Sequence, residues 1–90
     1  MERRIALIGI IVENPDSVER LNRLLHENSR HIIGRMGLPC RERGISVISV
    51  VVDAPQEAIS ALSGRLGMLP GISTKTIYAK LSQKTEEDLQ

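Results

Sequence analysis

Ninety residues, 41% hydrophobic and 26% charged, describe one folding domain, because two separate cores would each fall well short of the roughly 100-residue domain mode. Phe and Trp are absent, Tyr78 is the only aromatic, and 12 Lys plus Arg against 11 Asp plus Glu leave a net charge of +1. Base stacking and a global positive field are therefore both missing, which argues against direct nucleic-acid binding and against attraction to an anionic membrane. Cys40 stands alone, so an intrachain disulfide and a cysteine-built zinc cage are out of reach and the cytoplasm is the expected compartment.

In chain order, Ile5, Leu7, Ile8, Ile10, Ile11 and Val12 form a strand-length, β-branched run. It is too short to span a bilayer as a helix. Glu13, Asn14, Pro15 and Asp16 follow where a signal peptide would need small residues at its cleavage site, so a buried first strand is expected. Asn14-Pro15, or Asp16 with Glu19 three residues on, starts a first helix. Its apolar stripe is Val18, Leu21, Leu24 and Leu25, and Asn28-Ser29 ends it. A second strand is expected from about Arg30 to Leu38, and its glycine and polar content suits an edge position with a bulge. Pro39 to Gly44 reads as a turn, and Ile45 to Val52 as a third strand. Asp53 with Gln56 resembles a capping box for a second helix with the stripe Ile59, Leu62 and Leu66, closed by Gly67 at the C′ position. Gly64 inside that helix suggests close approach to the sheet. Pro70-Gly71 is a turn before a fourth strand, Ile72 to Leu81. Residues 1–82 thus make the domain, and residues 83–90 a polar, frayed tail.

The order β-α-β-β-α-β predicts an α+β, ferredoxin-like sandwich: a four-stranded antiparallel sheet with two helices on one face and strands one and three at its centre. Those two strands are apolar on both faces, yet two helices can cover only one. The even register, Ala6 to Val12 and Ile48 to Val52, is expected beneath the helices. The odd register, with Ile5, Leu7, Gly9 and Ile11 opposite Val47, Ser49 and Val51, is expected to face a second subunit of a dimer or tetramer.

No chemistry-bearing motif stands out. His26, His31 and Cys40 match no compact zinc or nickel spacing. No metal or other cofactor is expected. Ser46, Ser49, Ser60 and Ser63 lack a nucleophile elbow and triad partners. No catalytic residue is assigned. Arg30, Arg35, Arg41 and Arg43 make the second strand and its hairpin basic, which fits either gatekeeping charge on an edge strand or an anion site.

Leu24 to Ser29, Gly34 to Glu42, Ile45-Ser-Val47, Ser60 to Gly67 and Pro70 to Thr76 together resemble the small proteins known as iron-only hydrogenase system regulators. The resemblance spans Arg4 to Lys80 and implies an ACT-like form of the ferredoxin-like fold, similar to the C-terminal domain of the nickel-responsive repressor. It also implies a non-enzymatic regulatory role, with a small effector or a protein partner in hydrogenase regulation. The metal-binding positions of the nickel-responsive domain fall here at Met36, Leu38 and Gly44, so that metal site is not carried over. ACT-like effector sites lie at the turn after strand one, which implicates Asn14, Pro15 and Asp16. That turn lacks the glycine of amino-acid-binding relatives. Backbone N–H groups at the start of the first helix, with Arg41 and Arg43 as a second anchor, are expected to hold an anionic or amino-acid-like effector. The alternative is a direct nucleic-acid-binding transcriptional regulator.

Overall fold

The computed structural model describes residues 2–80. The tail expected at residues 83–90 lies outside them. Four strands, β1 (Arg4–Val12), β2 (Ile32–Cys40), β3 (Ile45–Ala54) and β4 (Ile72–Tyr78), alternate with two helices, α1 (Val18–Glu27) and α2 (Gln56–Gly67). The strands form one antiparallel sheet in the order β2-β3-β1-β4. The ferredoxin-like fold read from the sequence is the fold observed, with the two most apolar strands paired at the centre. β3 runs two residues further than its apolar run, and β4 ends at Tyr78 rather than Leu81.

Burial follows the period of two. Ile8, Ile10, Val50 and Val52 are at most 1% exposed, and they pack against Leu21 and Leu25 of α1 and Ile59, Leu62 and Leu66 of α2. This is the even register, covered as expected because β-strand side chains alternate strictly between faces. Val18, expected in the apolar stripe of the first helix, is 40% exposed. It opens α1 directly after a 3-10 turn, Pro15–Ser17, whose last residue, Ser17, takes the buried position instead.

Several local readings are corrected. The Asp53–Gln56 capping box does not form: Pro55 is the cap residue and has no side-chain cap bond. Asp53 is instead the last bare-face residue of β3, its carboxylate paired with Arg3 at 3.2 Å, while Gln56 accepts from Arg4. Gly67 closes α2 as a helical residue, not a left-handed C′ residue, since among the described residues only Gly44 and Gly71 have positive φ. The close approach assigned to Gly64 belongs to Gly67. A Cβ at Gly64 would meet nothing within 4 Å, whereas one at Gly67 would lie 3.2 Å from Thr74 Oγ1. The hairpin turn is also shorter than expected, because Pro39 and Cys40 still belong to β2 and only Arg41–Arg43 form a 3-10 turn before Gly44.

Candidate functional site

The β2 edge carries a bulge, with the register shifting between Ile32, opposite Val52, and Gly34, opposite Val51. The extra residue at Ile33 reverses the face of everything that follows. Ile32 points beneath α1, but Arg35, opposite buried Val50, then takes the helix side, while Met36 opposite Ser49 and Leu38 opposite Val47 take the bare side. Without the bulge, Met36 and Leu38 would continue the core.

The bare side is consequently the apolar surface of this molecule. The seven residues expected there, Ile5, Leu7, Gly9, Ile11, Val47, Ser49 and Val51, all lie on it. Met36, Leu38 and Ile77 widen it to both edges. Of the eight large hydrophobic side chains exposed among the described residues, five are here: Ile5 37%, Leu7 38%, Met36 63%, Leu38 61% and Ile77 67%. The small pair Gly9–Ser49 forms a low row between the taller rows Leu7–Val51 and Ile11–Val47. Shallow hollows of about 420 Å³ beside Met36 and Val51 and about 240 Å³ beside Ile11 and Lys75 mark that relief. The charges on this face are few: Lys75 in β4, and Asp53 in β3, whose carboxylate is already paired with Arg3. Met36, Leu38 and Ile77 went unassigned from sequence. The signal that could have placed the first two is the change of parity a bulge imposes.

The turn after β1 is built tightly. Asn14 Oδ1 accepts from the Asp16 N–H at 2.9 Å, Ser17 N–H donates to the Asn14 carbonyl at 3.1 Å, and Val18 N–H goes to the Pro15 carbonyl. The Pro70–Gly71 turn closes over it: Glu13 N–H donates to the Gly71 carbonyl at 2.7 Å and the fully buried Ser17 hydroxyl to the Pro70 carbonyl at 2.6 Å. The N–H groups of Asp16, Ser17 and Val18, expected to face an anion, are therefore spent inside the turn. Antiparallel pairing of Val12 with Ser46 puts the hairpin holding Arg41 and Arg43 at the same end of the sheet as Asn14, Pro15 and Asp16. Asp16, Arg41 and Arg43 are exposed. They form no ion pair among the described residues, where Arg3–Asp53 is the one salt bridge.

The three soft ligands do not converge. His26 lies on α1, His31 in the 3-10 turn before β2, and Cys40 at the far end of β2, partly buried. Among the described residues no three His, Cys, Asp or Glu side chains group as a metal would require. No helix of the described residues is long and apolar enough to cross a membrane.

Fold and surface together define a class: a ferredoxin-like α+β domain whose helices shield one sheet face and leave an apolar face bare. Within it, residues 4–76 match the TM1266-like family model, described as "Iron-only hydrogenase system regulator, putative", and the chain belongs to that family. It is similar to a solved structure described as uncharacterized protein TM1266 from Thermotoga maritima, at 35% identity and a TM-score of 0.84 over 88% of this chain and 100% of that one. No functionally curated protein matches.

Proposed function

We propose that this chain is a cytoplasmic, non-enzymatic regulatory module of the iron-only hydrogenase system, working as a homo-oligomer, dimer or tetramer. In this reading its bare sheet face closes on a second copy, and a small effector or partner protein acts through the geometry of that assembly. The observation that supports it is the concentration of exposed Ile, Leu and Met on one face. Contiguous apolar surface on that scale is what soluble monomers rarely leave in water. A second copy suits the face because stacked sheets can bury a low row such as Gly9–Ser49 against taller neighbours.

Light scattering on the purified protein tests this reading. Val51→Lys puts a charge on the bare face and is expected to yield a folded monomer. Val50→Lys, one residue away beneath the helices, is expected to abolish the fold. A wild-type protein that stays monomeric across the micromolar range, or an assembly indifferent to Val51→Lys, overturns the proposal.

The effector belongs in this reading at the strand-one end of the sheet, through side chains. Asp16 suits an ammonium group and Arg41 and Arg43 suit a carboxylate, so an amino-acid-like zwitterion fits Asn14, Pro15, Asp16, Arg41 and Arg43 better than a polyanion. Thermal-shift screening checks this, since a ligand at 100 times its Kd stabilises by about 2.7 kcal/mol. If no amino acid stabilises the protein while Arg41→Gln abolishes capture of a defined hydrogenase-system protein, the module acts as an adaptor.

A further inference from the structure

The bulge that sends Met36 and Leu38 to the bare face sends Arg35 to the other one, at the outer edge where α1 overhangs β2. A shallow, open cleft of about 420 Å³ lies there, lined by Asn22, Leu25, His26, Ser29, Ile32 and Arg35. That volume falls within the range of small-molecule sites. Asn22, His26 and Ser29 are spaced four and three residues apart, so they follow one flank of α1 and its C-terminal extension. Ile32, partly buried and packed against the core, gives an aliphatic floor, with Leu25, 2% exposed, closing it from beneath.

Arg35 is an exposed side chain held by one tether. Its Nη2 donates to Asn22 Oδ1 at 3.2 Å, which ties the guanidinium across the cleft and leaves its other N–H groups without a partner among the described residues. No carboxylate lines the cleft. One tethered guanidinium, with the Ser29 hydroxyl and the His26 ring as further donors and an aliphatic floor below, forms a fork-shaped receptor for a single carboxylate. Without an acidic side chain it has no negative charge to offset an ammonium group beside Arg35, and with one permanent cation it is under-charged for a phosphate dianion.

We propose that this cleft binds a small aliphatic carboxylic acid, its carboxylate on Arg35 and its hydrocarbon body on Ile32. The site is separate from the strand-one turn. It opens on the helix-bearing side of the sheet, so its occupancy does not depend on association through the bare face.

Titration of the ¹⁵N-labelled full chain with isovalerate, followed by amide shifts, is the test. Saturable shifts confined to Asn22–Arg35 are expected, with acetate about tenfold or more weaker because it lacks the body. Valine, which is isovalerate with an added ammonium group, and inorganic phosphate are each expected to bind about tenfold or more weaker as well. Arg35→Gln should weaken isovalerate by about tenfold or more, and Arg35→Lys, which keeps the charge and loses the fork, by less. Arg41→Gln and Val51→Lys should leave it unchanged, and Val51→Lys separates this site from the oligomer reading. No shift at millimolar isovalerate, equal binding of valine or phosphate, shifts centred on Asn14–Asp16, or indifference to Arg35→Gln in a protein with native amide dispersion would each overturn the assignment.

Discussion

Gly71 and Gly44 share a left-handed backbone, with φ of 72° and 65°, but not a neighbourhood. A Cβ at Gly71 would sit 2.5 Å from Asn14 Cβ and 2.9 Å from the Asn14 backbone nitrogen, whereas one at Gly44 would meet nothing within 4 Å. Both alanine variants incur the left-handed penalty of about 1–2 kcal/mol. Only Gly71→Ala must also push apart the two turns that bury Ser17. Denaturant unfolding should therefore show Gly44→Ala destabilised by about 1 kcal/mol and Gly71→Ala by about 3 kcal/mol or more. Gly64 behaves oppositely. It is an exposed helix-interior glycine with free space for a methyl group, so Gly64→Ala should raise stability by about 0.5–1 kcal/mol.

At the scale of the strand, adjacent isoleucines of β1 have different tasks. Ile10 is fully buried beneath the helices, while Ile11 lies on the bare face opposite Val47. Ile10→Ala should cost about 3 kcal/mol or more of unfolding free energy through lost transfer and a cavity. In the dissociated chain Ile11→Ala should cost about 1 kcal/mol, with its larger effect falling on association. Equal losses in monomer and oligomer would mean that Ile11 contributes nothing between copies. The bulge at Ile33 applies the same parity to β2, making one strand serve an apolar surface and a polar cleft.

For the whole molecule, the proposed cohesion between copies is apolar, and salt distinguishes it from ion pairing. Raising NaCl to about 1 M compresses the Debye length to about 3 Å and screens exposed charges without weakening apolar burial. Sedimentation should show the oligomer unchanged or tightened. Dissociation by salt would shift the argument to the arginines of the hairpin. With no metal-holding group among the described residues, melting after chelator treatment should match that of untreated protein. A drop in Tm with loss of stoichiometric metal would reveal a folding-linked ion.

Element order, the central pairing of β1 with β3 and the buried register were all legible in the chain's own pattern. These depend on periodicity: β-branched runs at Ile5–Val12 and Ile45–Val52 can be satisfied only as the covered strands of a sheet. The same pattern also determined that one apolar register would remain uncovered, because two helices cannot shield both faces. Tertiary structure decided what local patterns left ambiguous. Asp53 and Gln56 were open to capping or to tertiary partners, and Arg3 and Arg4, fifty and fifty-two residues away, took them. The N–H groups of Asp16, Ser17 and Val18 are taken within their own turn by Asn14 and Pro15, while the Glu13 N–H and the Ser17 hydroxyl find partners only in the Pro70–Gly71 turn fifty-odd residues away. The faces of Arg35, Met36 and Leu38 depended on one inserted residue, Ile33, left unpaired between Ile32 opposite Val52 and Gly34 opposite Val51. Strand parity is a property of the ladder rather than of the chain, so a single bulge moved residues between core, surface and cleft while the sequence pattern stayed the same.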